Sequence, residues 1–241
     1  MPRSHAHKAF TGNLADVERL LEIHGEVAGG GRGRKWKVDV LHRSAVVLLC
    51  ASWEAYCEDV VGEVVEHFVD HGSAASLPEP LRKKIAKEFS QQGQAERMWT
   101  LAGDGWKNVL RSRLDAFKIE RDRGLNTPKP GPILELFRDH AGYPDITAHW
   151  KWPRTSVPEA KQRLKEFVEL RGSIAHRVES LETMTKREVR KSIRLVKHLV
   201  EETDKAMTAH ARAVSGTPLV ADTGGEVKGA AKLPGARASR A

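Results

Sequence analysis

The residues of this chain best placed to do chemistry are Arg171 and His176, within Glu169-Leu170-Arg171-Gly172-Ser173-Ile174-Ala175-His176-Arg177. Arginine carries a permanent charge on a planar fork that fits phosphate oxygens, and histidine takes and gives a proton near neutral pH. The pair is suited to holding a phosphate and moving a proton. The helix that must position them is written around them. Ser156-Val157-Pro158-Glu159 opens it: Ser three residues before Glu is a capping box, and Pro is allowed in the first turn. At about 100° per residue, Leu164, Phe167, Val168, Ile174, Ala175 and Val178 form one apolar stripe, with Arg171 near its middle. A guanidinium at a core position is costly unless it is paired. His176 falls about 140° further round, at the stripe's edge. The pattern predicts a helix over 157–178 with a half-buried Arg and a more exposed His. Spacing alone equally fits a core Arg followed by a solvent His.

A partner for Arg171 is sought on the most apolar helix, expected from Trp36 to about Asp70. Between Ser44 and Cys57 its one charged residue is Glu54. Val47, Cys50, Ala51, Cys57, Val61 and Val65 fall within about 60° of it on the wheel, so Glu54 is expected inside a buried stripe. A lone buried carboxylate needs a partner, and Arg171 is the obvious one. Further along, Glu63, His67 and His71 follow at steps of four. Two His four apart can hold a metal, but no His-Glu-x-x-His is present, and a cationic helix end is the better reading. No metal and no cofactor is expected.

The remaining elements follow from periodicity. Residues 1–10 look loose, and a first helix is expected from Asn13 through Leu20, Leu21 and Ile23. Gly29-Gly30-Gly31-Arg32-Gly33-Arg34 ends it; no Gly-Lys-Ser/Thr follows, so this is no phosphate-binding P-loop. It reads as a linker, or as a basic arm in which Arg32, Arg34, Lys35 and Lys37 surround Trp36. Ser76 to Pro80 is a turn. Short helices are expected over 81–89, 106–119 and 133–140, with Trp99 and Trp106 packing, and Trp150 and Trp152 covering the core. Thr185 and Glu188 form a second capping box, opening a last helix to about Ala211. Arg187, Lys191, Arg194 and His198 make one face of it, and Val189, Ile193, Val196 and Val200 the other. The basic face is either a solvated surface or an electrostatic footprint for a polyanion. No strand alternation and no internal repeat is visible, so the chain reads all-α: a domain over 11–213, with a Gly-, Ala- and Pro-rich tail over 214–241 expected to be disordered.

The 241 residues are 40% hydrophobic and 30% charged, which allows a sizeable core. A net charge of +8 favours polyanions, nucleic acid first and acidic membrane second. Cys50 and Cys57 are too far apart along one helix to be bridged, and read as small core residues in a reducing compartment. No apolar run is long enough to span a membrane, and the expected location is cytoplasmic.

Arg171, four intervening residues and His176, at the end of the penultimate helix of an all-α chain, resemble the HEPN superfamily. Ala51-Ser-Trp-Glu54-Ala-Tyr56 is similar to the Leu-Glu-Ala-Tyr segment of its RiboL-PSP-HEPN family. Asn126-Thr-Pro128, Leu136-Phe137 and Pro144-Asp-Ile-Thr147 are similar to that family's middle segment, so the likeness spans roughly 38–205. It implies a HEPN-like helical bundle with extra helices, acting as a homodimer whose two motifs share a cleft. It also implies a metal-independent endoribonuclease, often a toxin or defence effector with an antitoxin or regulatory protein. In that role Arg171 steadies charge on the phosphate, and His176 is the base on the 2′-OH or the acid for the leaving oxygen. Glu54, Gly172 and Ser173 support them: Gly172 leaves room for substrate, and Ser173 is a hydrogen-bond donor or only a small polar spacer. Arg177, Arg187, Lys191 and Arg194 would hold RNA phosphates. The family's usual motif has Asn directly after the Arg, where this chain has Gly172. A non-catalytic HEPN module that binds RNA or a protein is therefore the alternative, and a structural subunit of a larger complex a third.

Overall fold

The computed structural model describes residues 3–28, 39–91, 95–123, 127–176 and 184–219. Seven α-helices are found among them: α1 (His5–Ala28), α2 (Asp39–His71), α3 (Glu79–Gln91), α4 (Gly105–Arg123), α5 (Pro130–Ala141), α6 (Val157–His176) and α7 (Lys186–Ser215). Short 3-10 turns at Ala95–Leu101 and Ile146–His149 join α3 to α4 and α5 to α6. The protein is all-α; among the described residues the one piece of extended pairing is an isolated bridge between Trp152 and Thr155.

α2 is the axis of the bundle. A helix apolar on nearly all sides must be wrapped, and α1, α4, α5, α6 and α7 pack around this one. Its centre is aromatic. Trp53 stacks on Tyr56, ring centroids 5.9 Å apart, and meets Trp150 edge-on at 6.0 Å. All three side chains are fully buried, so each polar tip needs an acceptor. The Trp53 indole donates to the Pro128 carbonyl at 3.4 Å, Trp150 to the Thr203 hydroxyl at 3.0 Å, and Tyr56 to the Val200 carbonyl at 3.2 Å. Pro144-Asp-Ile-Thr147 closes the loop beneath. Asp145 accepts from the Thr147 backbone at 2.9 Å and from its hydroxyl, with Ile146 and Thr147 fully buried. Two of the segments that carry the family resemblance thus meet in the core, where Trp53 bonds Pro128.

The stretch expected to be loose is helical from His5 on. α1 begins at His5, with Ala6 and Phe10 buried. The open N–H groups of its first turn are satisfied from far along the chain. Glu63 of α2 accepts from the backbone of His5 and Ala6 at 3.0 and 3.1 Å. Ser4 caps His7 at 3.0 Å and donates its own hydroxyl to Asp204 of α7. Of the other two members of the His/Glu series on α2, His67 is similarly engaged: it contacts the Ser215 hydroxyl at 2.9 Å and the Thr217 carbonyl at 3.1 Å, while the His71 ring lies against it, centroids 4.7 Å apart.

Both capping signals sit where helices start. Thr185 and Glu188 make the full reciprocal box. At α6 only half of it forms: Glu159 accepts from the Ser156 backbone and hydroxyl, both at 2.8 Å. α5 ends at Gly142, with φ +66°, where an added Cβ would lie 2.7 Å from Pro78 and 2.9 Å from Leu81. Only glycine fits there.

Two packing expectations fail. Trp106 is buried, but Trp99 is 82% exposed. The tight 3-10 turn between α3 and α4 directs Leu101 to the core, which leaves Trp99 outside. Val47 and Ala51 were expected in a buried stripe, yet Val40, Val47, Leu48 and Ala51 are all exposed on the first half of α2. The contacts that α4 makes among the described residues fall further along α2: Leu114 lies 3.7 Å from the Cβ position of Gly62, and Lys118 binds Glu66 at 3.1 Å. Among the described residues no helix is long and apolar enough to cross a membrane. The tail expected from 214 is ordered in its first residues, since α7 runs to Ser215, Ser215 and Thr217 meet His67, and Leu219 is buried; residues 220–241, and the Gly-rich stretch with Arg32, Arg34, Lys35, Trp36 and Lys37, lie outside the described residues.

Candidate functional site

α6 carries the Arg–His motif at its C-terminal end. Leu164, Phe167, Val168 and Ile174 are buried, which seats the helix against the core. Arg171 is half-buried, as its place in that stripe requires, while Ala175 is exposed. His176 is the last residue of α6; its side chain, with Val178 and Arg177, lies outside the described residues.

Arg171 faces α2. Its charge acts on Cys50 and Glu54, which stand one turn apart there. Burial raises the Glu54 carboxyl above its ordinary range, and Arg171 draws it part of the way back. The Cys50 thiol is pushed up to about 11, first by burial, with Arg171 opposing and Glu54 adding. It is no nucleophile at neutral pH, and burial raises the Cys57 thiol as well. The expected direct pairing of Arg171 with Glu54 is replaced by a looser relationship: among the described residues no hydrogen bond or ion pair joins them. Glu54 is half-buried rather than enclosed, so it keeps enough water not to need one. It borders a cavity of about 220 Å³ between α2, α4 and α5, together with Glu58, Thr127 and Pro128.

Around Arg171 the surface of α6 is open. Among the described residues, and apart from its own helical turn, nothing lies within 4 Å of where a Gly172 Cβ would be. Ser173 is exposed, and its hydroxyl donates to the Glu169 carbonyl at 3.1 Å. Its proton is therefore committed to the helix, and its oxygen is what remains to offer. Glu169 itself binds Lys129 at 3.3 Å, which ties α6 to the segment entering α5.

Arg187, Lys191 and Arg194 are exposed on α7. Lys191 and Arg194 do not converge on the face of α6 that Arg171 occupies. They line a separate groove between α6 and α7, of about 620 Å³, with Arg163, Trp152 and His198. Arg163 and Trp152 were not foreseen as neighbours of the basic face. Trp152 lies 46 residues before His198 in a different element, so no local pattern joins them.

A family model described as RiboL-PSP-HEPN matches residues 13–209. No curated protein and no solved structure matches the chain. The family match spans α2 to α6 entirely and most of α1 and α7, and the segments expected to carry the resemblance lie within it: this chain belongs to the RiboL-PSP-HEPN family.

Proposed function

We propose that this protein is a metal-independent endoribonuclease that works as a homodimer and cleaves RNA through its own 2′-OH. The observation that carries the reading is the half-buried Arg171, held over the Cys50–Glu54 turn of α2 and open to solvent beside Gly172. A half-buried guanidinium bordering open space can meet phosphate oxygens with its planar fork and steady the charge that develops on them. His176, five residues on, is the proton carrier. One His removes the 2′-OH proton; the 2′-oxygen attacks phosphorus; the bond to the 5′-oxygen breaks; a proton is delivered to that oxygen. The products are a 2′,3′-cyclic phosphate and a 5′-hydroxyl. No cofactor takes part. Glu54 holds the field at Arg171, and Arg177, Arg187, Lys191 and Arg194 attract the strand.

One His cannot readily serve as base on one side of the phosphorus and acid on the other. The second comes from a second copy of the chain. The bare apolar strip of Val40, Val47, Leu48 and Ala51 on α2 leads toward Glu54 and supports a two-fold contact that places both motifs in one cleft. Unguarded RNA cleavage in the cytoplasm harms the cell, so a toxin or defence role with a neutralising partner protein fits this chemistry.

The test is incubation of the purified protein with total cellular RNA in EDTA. Cleavage that survives the chelator and is lost in His176→Ala is expected. The second reading, a non-catalytic RNA- or protein-binding module, is favoured by Gly172 standing where the family's usual motif has Asn. It is adopted if wild type and His176→Ala are equally inert.

A further inference from the structure

The groove between α6 and α7 has a built floor. The Trp152 ring lies flat against His198, centroids 4.8 Å apart and planes 15° from parallel. Both rings are half-buried, so the pair is partly open. Trp152 is fixed by a tight turn. Its N–H and carbonyl pair with those of Thr155 at 3.1 and 2.9 Å, and Arg154 inside the turn takes φ +66°. A non-glycine residue rarely adopts that conformation, and such strain persists only where the surroundings hold it. The Thr155 hydroxyl accepts from Arg163 at 3.0 Å, which sets that guanidinium on the groove wall. Phe167, Leu170 and Leu195 complete the apolar lining.

The charges favour an anion. Glu166 and Glu188 also line the groove and keep their charge, Glu188 in the cap of α7 and Glu166 accepting from Gln162 at 2.8 Å, but Arg163, Lys191 and Arg194 outnumber them by one. Lys191 and Arg194 have no ion-pair partner among the described residues. A flat aromatic pair flanked by exposed cations offers a face for a base and charge for its phosphates. Along α6, Arg163 lies about 12 Å from Arg171, and the groove is about a quarter turn round the helix from it. A strand crossing the groove can therefore continue to the motif.

We propose that the Trp152–His198 stack is a base-binding subsite for single-stranded RNA, with Arg194, Lys191 and Arg163 holding the adjoining phosphates. It rests on RNA being the ligand, but not on its being cut.

The experiment is fluorescence anisotropy with two labelled single strands of equal length. One is a 2′-O-methyl oligoadenylate, which cannot react at the 2′ position; the other is an abasic phosphodiester. The full-length protein should bind the base-bearing strand roughly five- to a hundred-fold more tightly, the range for stacking of one base. His198→Ala and Trp152→Leu should reduce it to the level of the abasic strand, and Arg194→Ala should weaken both strands alike. Should Trp152→Leu not fold, as judged by circular dichroism, His198→Ala decides alone, because His198 is half-exposed on α7. Equal affinity of wild type for the two strands, or an undiminished preference in His198→Ala, overturns the subsite. So does tighter binding of polyglutamate than of the base-bearing strand. His176→Ala should keep the full preference, so loss of cleavage and loss of this subsite are read separately.

Discussion

Arg171 of α6 and Glu54 of α2 face each other without touching. The guanidinium offsets part of the burial that raises the carboxyl, and no ion pair closes between them. The charge of Arg171 is thus held near an acid but not consumed by it, and stays available to a phosphate.

This relationship has a pH signature. The folded chain keeps the Glu54 proton to a higher pH than the unfolded chain does. Stability is therefore lost as pH rises from the ordinary carboxylate range through the raised folded value. Glu54→Gln removes that loss, so urea midpoints of variant and wild type should diverge between pH 4 and pH 7, with the variant the more stable at pH 7. Arg171→Ala should deepen the wild-type loss over the same interval. Midpoints that keep a constant offset at both pH values would show that Glu54 is not shifted.

Gly172 stands in open space inside a helix. Gly172→Ala should raise stability by about 0.5–1 kcal/mol, the helix penalty of glycine, measured by denaturant unfolding. Gly172→Asn fits equally well and matches the family's usual motif. Cleavage should rise in this variant; if it stays at the wild-type rate, the motif does not use that Asn here.

The bare strip on α2 predicts an assembly. Val47→Glu or Leu48→Glu should leave the fold intact, since both side chains already meet solvent, but give a monomer by light scattering and abolish cleavage. Mixing His176→Ala with wild type under subunit exchange should reduce activity below the fraction of wild-type chains. A strictly proportional fall would mean that each chain works alone.

Binding should weaken steeply with salt. Each of Arg187→Ala, Lys191→Ala and Arg194→Ala should lower the slope of log affinity against log salt by about 0.7 on a single strand. A slope unchanged by all three variants would place the phosphates elsewhere.

Glu63 accepts two backbone N–H groups at the start of α1. Glu63→Ala leaves both without a partner and should cost about 1–2 kcal/mol. Amide hydrogen exchange should quicken at residues 5–9 before it changes elsewhere.

What the sequence could disclose was what neighbouring residues decide. The Thr185–Glu188 box and the two faces of α7 are local patterns, and the structure repeats them; so is the apolar stripe that buries α6 and half-buries Arg171. The start of α1 is different. Its cap comes from Glu63 and from Ser4 with Asp204, and the last two are 200 positions apart. Around Glu54 the wheel could group residues on one face but not say what covers it, and Val47 and Ala51 are left exposed there. Trp152 and His198 meet only through a strained turn that no propensity signals.

The way α1 is fastened bears on where this domain can be cut. The family match begins at residue 13, inside α1. A chain shortened to that point would lose the buried Ala6 and Phe10 and expose the face of Tyr56 that Phe10 meets at 6.1 Å. It would also strand Asp204, which is buried, without the Ser4 hydroxyl it receives. The boundary that defines kinship is thus not the boundary of the folding unit, whose first fastening lies nine residues earlier, at Ser4.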